Sequence, residues 1–147
     1  MQKAAPMATI RVDTVIANDP DAVWDVIRDF DAVASRLVPD QVLSSRAADG
    51  SREVTLASGT TVREILVTCD DEERRLVYSA VGGRATHHNA VMTVTTADGA
   101  TVLSWVTDVL PSEMEEPVRT LMTRWSASMT RSLAASGAKL GTTGEPS

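Results

Sequence analysis

Residues 113–138 read EMEEPVRTLMTRWSASMTRSLAASGA. Val118, Met122, Trp125, Met129 and Leu133 recur at helical spacing, which places them on one stripe of a single long helix. An apolar stripe of that length has to be covered by a second layer. The chain upstream supplies one.

Working back from the helix, alternating segments at 101–110, 86–96, 75–81, 61–69, 52–57 and 41–48 read as strands, and an earlier segment at 9–17 makes seven. Asp49-Gly50 and Asp98-Gly99 are hairpin signals, while Ser58-Gly59 and Gly82-Gly83 supply the positive backbone angles that short turns need. Between the first two strands the pattern turns helical. Asp19-Pro20 sets a capping carboxylate before a proline at the first helical position, and Val23, Trp24, Ile27 and Phe30 follow at helical spacing to open a short helical pair. The predicted class is α+β, with a seven-stranded curved antiparallel sheet wrapped around the C-terminal helix. A bent sheet gripping one helix leaves space between the layers, and concave apolar spaces are where small molecules bind.

At 147 residues the chain reads as one domain. That length suffices to bury about 70% of the unfolded surface and still retain a cavity. The ordered domain is placed at 8–140, flanked by a flexible N-terminus at 1–7 and a flexible polar tail at 141–147. The net charge of -6, with lysine only at Lys3 and Lys139, argues against nucleic acid and anionic membrane surfaces, both of which require clustered cations. A single cysteine, Cys69, excludes an internal disulfide and any multi-cysteine metal site, so the cytoplasm is the expected compartment. No segment has the length of a membrane span or the apolar core of a signal peptide. No cofactor or metal is expected, and the oligomeric state is left as monomer or homodimer.

Three stretches, Val23-Trp24-Asp25-Val26-Ile27-Arg28-Asp29-Phe30, Thr61-Val62-Arg63-Glu64-Ile65-Leu66 and Thr101-Val102-Leu103-Ser104-Trp105, resemble the first helix, central strand and last strand of the START-like helix-grip (SRPBCC) superfamily, in its polyketide cyclase/dehydrase and lipid-transport branch. The resemblance spans nearly the whole chain and implies a helix-grip fold around a ligand cavity. The segment 58–89 is also similar to plant abscisic acid receptors: Ser58-Gly59-Thr60-Thr61 resembles their gate and Gly82-Gly83-Arg84-Ala85-Thr86-His87 their latch. Those receptors anchor the ligand carboxylate on a lysine near the second strand, and no lysine stands there in this chain, which argues against abscisic acid itself.

Alternation sorts the strand residues by face. His88, Ala90, Met92 and Val94 form the more apolar set of their strand and are expected inward, as are Leu103, Trp105 and Thr107 on the last strand and Val54 and Leu56 on the strand at 52–57. Tyr78 and Ala80 match family cavity positions. Periodicity leaves Glu64 open, because both faces of its strand are partly apolar, and the resemblance places it inward. The expected ligand-binding set is Val54, Leu56, Ala80, His87, Ala90, Met92, Leu103, Trp105, Met122, Trp125 and Met129, and the candidate acid-base groups are His88, Glu64 and Tyr78. Histidine titrates near neutrality, a carboxylate in apolar surroundings has its pKa raised, and a buried tyrosine hydroxyl needs a partner.

Each candidate has a plainer reading. His87 can face solvent or cap the latch-like turn, and His88 can be a wall residue. Trp105, Trp125, Met122 and Met129 can be ordinary core. Adjacent strand residues diverge, so His87 and His88 do not chelate one metal. Asp70-Asp71-Glu72-Glu73 lacks the alternating ligands and central glycine of a calcium loop and reads as a solvated turn. Two functions follow. One is a binding protein for a lipid-like or polyketide-derived ligand, either a carrier or a sensor with gate and latch loops. The other is a polyketide cyclase or dehydratase that moves protons during aldol closure and water loss.

Overall fold

The computed structural model describes residues 5–144, with side chains described as far as residue 136. Most of the flexible N-terminus expected at 1–7, and the side chains of the tail expected at 141–147, lie outside that range.

Seven strands, β1 (Ala8–Ile16), β2 (Val42–Ala48), β3 (Ser51–Leu56), β4 (Thr61–Asp70), β5 (Arg75–Val81), β6 (His87–Ala97) and β7 (Ala100–Leu110), form one antiparallel sheet in the order β1-β7-β6-β5-β4-β3-β2. Helix α1 (Pro20–Ile27) follows β1, then a 3₁₀ turn (Phe30–Ala32) and a single π turn (Val33–Leu37) lead into β2. Helix α2 (Glu115–Gly144) closes the fold after a 3₁₀ turn at Ser112–Met114. Pro117 falls in its first turn, where a missing N–H leaves no intrahelical bond unmade.

Side-chain alternation shows most plainly along β7, where Thr101, Leu103, Trp105, Thr107 and Val109 are buried and every intervening residue is partly exposed. Pairing shifts by one residue at Val42/Ser44 on β2 and at Leu66/Thr68 on β4. Such bulges bend the strand that carries them and help the sheet curl around α2. Asp49 and Asp98 take the left-handed conformation ahead of Gly50 and Gly99, the geometry of a two-residue hairpin that holds the strands in register.

The capping expected of Asp19 is not made. Its backbone is extended, but its side chain accepts no capping bond, and Asn18 Oδ1 instead accepts from the Asp19 N–H at 2.8 Å. The acidic turn at 70–73 does more than face solvent. Asp70 Oδ1 accepts from the Glu72 and Glu73 N–H groups, and Asp71 accepts from Trp24 Nε1 at 2.9 Å and Arg28 Nε at 2.8 Å, tying α1 to the β4–β5 hairpin.

Candidate functional site

The stripe of α2 divides along its length. Met129 and Leu133 are almost wholly buried in the core, whereas Pro117, Val118, Leu121, Met122 and Trp125, nearer the helix start, border a cavity of about 600 Å³ between helix and sheet. The sheet divides in the same way. Ala90, Met92, Val94 and Leu103 fill the core, while the start of β4, the end of β5 and the start of β6 present Val62, Glu64, Tyr78, Ala80 and His88 to the cavity. Trp105 and Trp125 stand at the boundary, ring centroids 6.4 Å apart.

The expected site residues therefore separate into two groups. Leu56, Glu64, Tyr78, Ala80, His88, Trp105, Met122 and Trp125 line the cavity. Val54, Ala90, Met92, Leu103 and Met129 do not: each is at most 3% exposed and packs in the core, because inward orientation on this sheet leads either to the cavity or to solid packing. His87 faces solvent, one residue out of phase with His88. The cavity also takes in Val62, Met114, Pro117, Val118 and Leu121, which lay outside the expected set. Val62 shares the face of Glu64, a signal that parity carried. Thr60 and the loop residues Gly82, Gly83, Arg84 and Ala85 border it from the gate-like and latch-like segments.

Three polar side chains converge on one wall. Glu64 on β4 pairs with Ala80 on β5, and His88 on β6 neighbours Ala80 on the other side by continuation of the Tyr78–Ala90 and Ser79–Asn89 register. Tyr78 lies two residues from Ala80 on the same face. A methyl group thus forms the floor between a carboxylate, an imidazole and a phenol. The His88 ring makes no hydrogen bond to a described group, and the Tyr78 hydroxyl, with the Trp105 indole beside it, donates to none.

A buried cation holds Glu64 in place. Arg52 on β3, 6% exposed, donates through Nε to Glu64 Oε1 at 2.7 Å and through an Nη to the Phe30 carbonyl at 3.0 Å. Its guanidinium lies 3.9 Å from the Phe30 ring centroid and 5.3 Å from that of Tyr78. Arginine was not singled out in the sequence, yet it shares the inward parity of Val54, and antiparallel pairing places it opposite Glu64. With Oε1 engaged by Arg52, Oε2 accepts no hydrogen bond from a described residue. The carboxylate anticipated as an isolated group in apolar surroundings is instead ion-paired.

Burial pushes the Tyr78 phenol above the ordinary tyrosine range, and the nearby Glu64 charge adds to the effect, so the hydroxyl remains a donor. Burial lowers the His88 pKa, with the Glu64 charge opposing, so the imidazole is neutral near pH 7. Deeper still, Trp105 Nε1 and Thr107 Oγ1 are buried without a hydrogen-bond partner among the described residues.

A second concavity of about 620 Å³ lies on the outer surface between the end of α1 and the β2–β3 turn. Within it Arg36 pairs with Asp25 and Asp29, and Arg28 pairs with Asp71 beside it. No group of three or more potential metal ligands occurs among the described residues, and no described helix is long and apolar enough to cross a membrane.

The sequence model of the family described as polyketide cyclase / dehydrase and lipid transport matches residues 7–141. The chain belongs to that family. A sequence search of curated proteins returned no match. Among solved structures, the protein XoxI from Bacillus cereus is 21% identical with a TM-score of 0.76, over 91% of this chain and 98% of that one. A truncated norcoclaurine synthase from Thalictrum flavum is 18% identical with a TM-score of 0.70, over 92% and 96%. A protein from Bacillus thuringiensis is 20% identical with a TM-score of 0.74, over 89% and 99%. At such identities the likeness establishes the helix-grip fold.

Proposed function

We propose that this family member binds a small hydrophobic molecule, lipid-like or polyketide-derived, in the cavity between α2 and the sheet. The observation that carries the reading is the cavity itself: about 600 Å³, bordered by aliphatic, methionine and tryptophan side chains, with a few polar groups gathered on one wall. Pockets of this size and lining hold small ligands by apolar contact and orient them by a few hydrogen bonds. The gate-like and latch-like loops border the mouth and control access.

Filling the floor tests this without altering a polar group. Ala80→Phe places a ring between Glu64 and His88, and it should abolish binding of the uncharged fluorophore N-phenyl-1-naphthylamine while the chain remains folded by circular dichroism. Undiminished binding would place the ligand elsewhere.

A second reading is favoured by the three groups around Ala80: a neutral imidazole, a protonated phenol and a carboxylate with one free oxygen can relay a proton to and from a carbonyl compound. This supports a cyclase or dehydratase activity, with His88 as the acid-base group, Tyr78 polarising a carbonyl and Glu64 accepting a proton or orienting the substrate. The similar norcoclaurine synthase fold has been determined with a transition state analogue, so this architecture can house chemistry. On this reading His88→Ala lowers the rate of aldol closure of a poly-carbonyl substrate at least about tenfold, with apolar-probe binding retained. An unchanged rate would remove His88 from the mechanism.

A further inference from the structure

The charge layout of the cavity narrows the ligand. Glu64 already has a counter-ion in Arg52, and the guanidinium occupies one of its oxygens. A ligand ammonium placed on the other oxygen would lie beside that guanidinium and be repelled. A ligand carboxylate there would be repelled by Glu64 itself. The partner that suits Oε2 is an uncharged donor. Tyr78, 4% exposed, holds on the same wall a hydroxyl that donates to no described group, and it can donate to an oxygen. One ligand hydroxyl satisfies both: its O–H donates to Glu64 Oε2 and its lone pairs accept from Tyr78.

The mouth differs. Arg63, Arg75, Arg84 and Arg124 form no ion pair with a described residue, and of these only Arg84 borders the cavity. Arg84 is exposed, and its one side-chain contact of hydrogen-bond type is the Met114 sulfur at 3.7 Å. It stands four residues beyond Ala80, a reach of at most about 14 Å along extended chain. A ligand two fused rings long can touch both ends.

Resting on the ligand-binding reading above, we infer that the cavity takes an apolar hydroxy acid, with its hydroxyl seated inward on Glu64 and Tyr78 and its carboxylate at the mouth on Arg84.

The test is a competition titration of the full chain with five rigid probes: naphthalene, 2-naphthol, 2-naphthoate, 6-hydroxy-2-naphthoate and 2-(aminomethyl)naphthalene. A hydrogen bond to a buried carboxylate should make 2-naphthol bind about tenfold or more tighter than naphthalene. The carboxylate of 6-hydroxy-2-naphthoate, meeting an exposed arginine, should add about two- to fivefold, lost in high salt and in Arg84→Gln. The amine should bind no tighter than naphthalene. Arg84→Gln removes the affinity added by the carboxylate, and Glu64→Gln removes the naphthol preference. Equal binding of naphthalene and 2-naphthol, or the amine binding tightest, overturns the inference while leaving a binding cavity. Failure of every probe, naphthalene included, overturns the binding reading with it.

Discussion

Replacing Arg52 by leucine should be among the most damaging single changes in this protein. The side chains of Arg52 and Glu64 are 6% and 12% exposed, which sets the pair apart from surface ion pairs worth about 0–1 kcal/mol. Removing one partner of a buried pair typically costs about 3–5 kcal/mol, because the other charge is left in a low-dielectric interior without compensation. Leucine also forfeits the stacking on Phe30 at 3.9 Å, worth about 0.5–1 kcal/mol, and the bond to the Phe30 carbonyl that fastens the turn after α1 to the sheet. For a chain of this length about 1 kcal/mol shifts Tm by roughly 2–4 °C, so the loss should be about 7–24 °C. Urea unfolding and calorimetry measure it. The decisive comparison is the double variant Arg52→Leu/Glu64→Leu. Since the cost of the single change comes largely from the abandoned carboxylate, the double variant should recover much of the stability. A single-variant loss below about 1 kcal/mol, or a double-variant loss equal to the sum of the two single losses, would refute the buried-pair argument.

Tyr78→Phe removes a hydroxyl that donates to no described group, so unfolding stability should change by less than about 1 kcal/mol while the preference for 2-naphthol over naphthalene falls; a large stability loss would show the hydroxyl to be structural. The native His88 pKa lies below its ordinary 6.5, so between those two values the unfolded chain binds more protons than the folded one and stability declines as pH falls through the window. Urea midpoints measured between about pH 7 and pH 5 should therefore slope less in His88→Asn than in the parent, and identical slopes would contradict a buried neutral imidazole.

The frame of the fold was legible because it rests on periodicity and turn chemistry. Asp49-Gly50 and Asp98-Gly99 turn where expected, and alternation along β7 sorts Leu103, Trp105 and Thr107 to the buried face. The second period, along α2, marked Met122, Trp125 and Met129 as one stripe. Periodicity reports only which face a residue takes. It does not report whether the opposing layer touches that face, so Met129 and Met122 read alike although one packs solidly and the other borders open space. Val54, Ala90, Met92 and Leu103 went to the core for the same reason. An arginine on a strand ordinarily points to solvent, so no local signal marks Arg52; its shared parity with Val54 and its position opposite Glu64 across the Ser58-Gly59 turn are present in the pattern. Asp71 reads as part of a solvated turn because its bond to Trp24 links residues 47 apart in the chain, a contact that no local pattern records.

The claim on which the account rests is that a small molecule enters the space between α2 and the sheet, and the three indole N–H resonances of the chain report it directly. Trp105 and Trp125 border the cavity, whereas Trp24 Nε1 is bonded to Asp71 on the other side of the core and serves as the internal control. On titration of ¹⁵N-labelled protein with 2-naphthol, the Trp105 and Trp125 indole signals should shift together to saturation while Trp24 stays fixed. Saturating shifts confined to Trp24, or no shift in any of the three at probe concentrations that quench N-phenyl-1-naphthylamine fluorescence, would contradict the account.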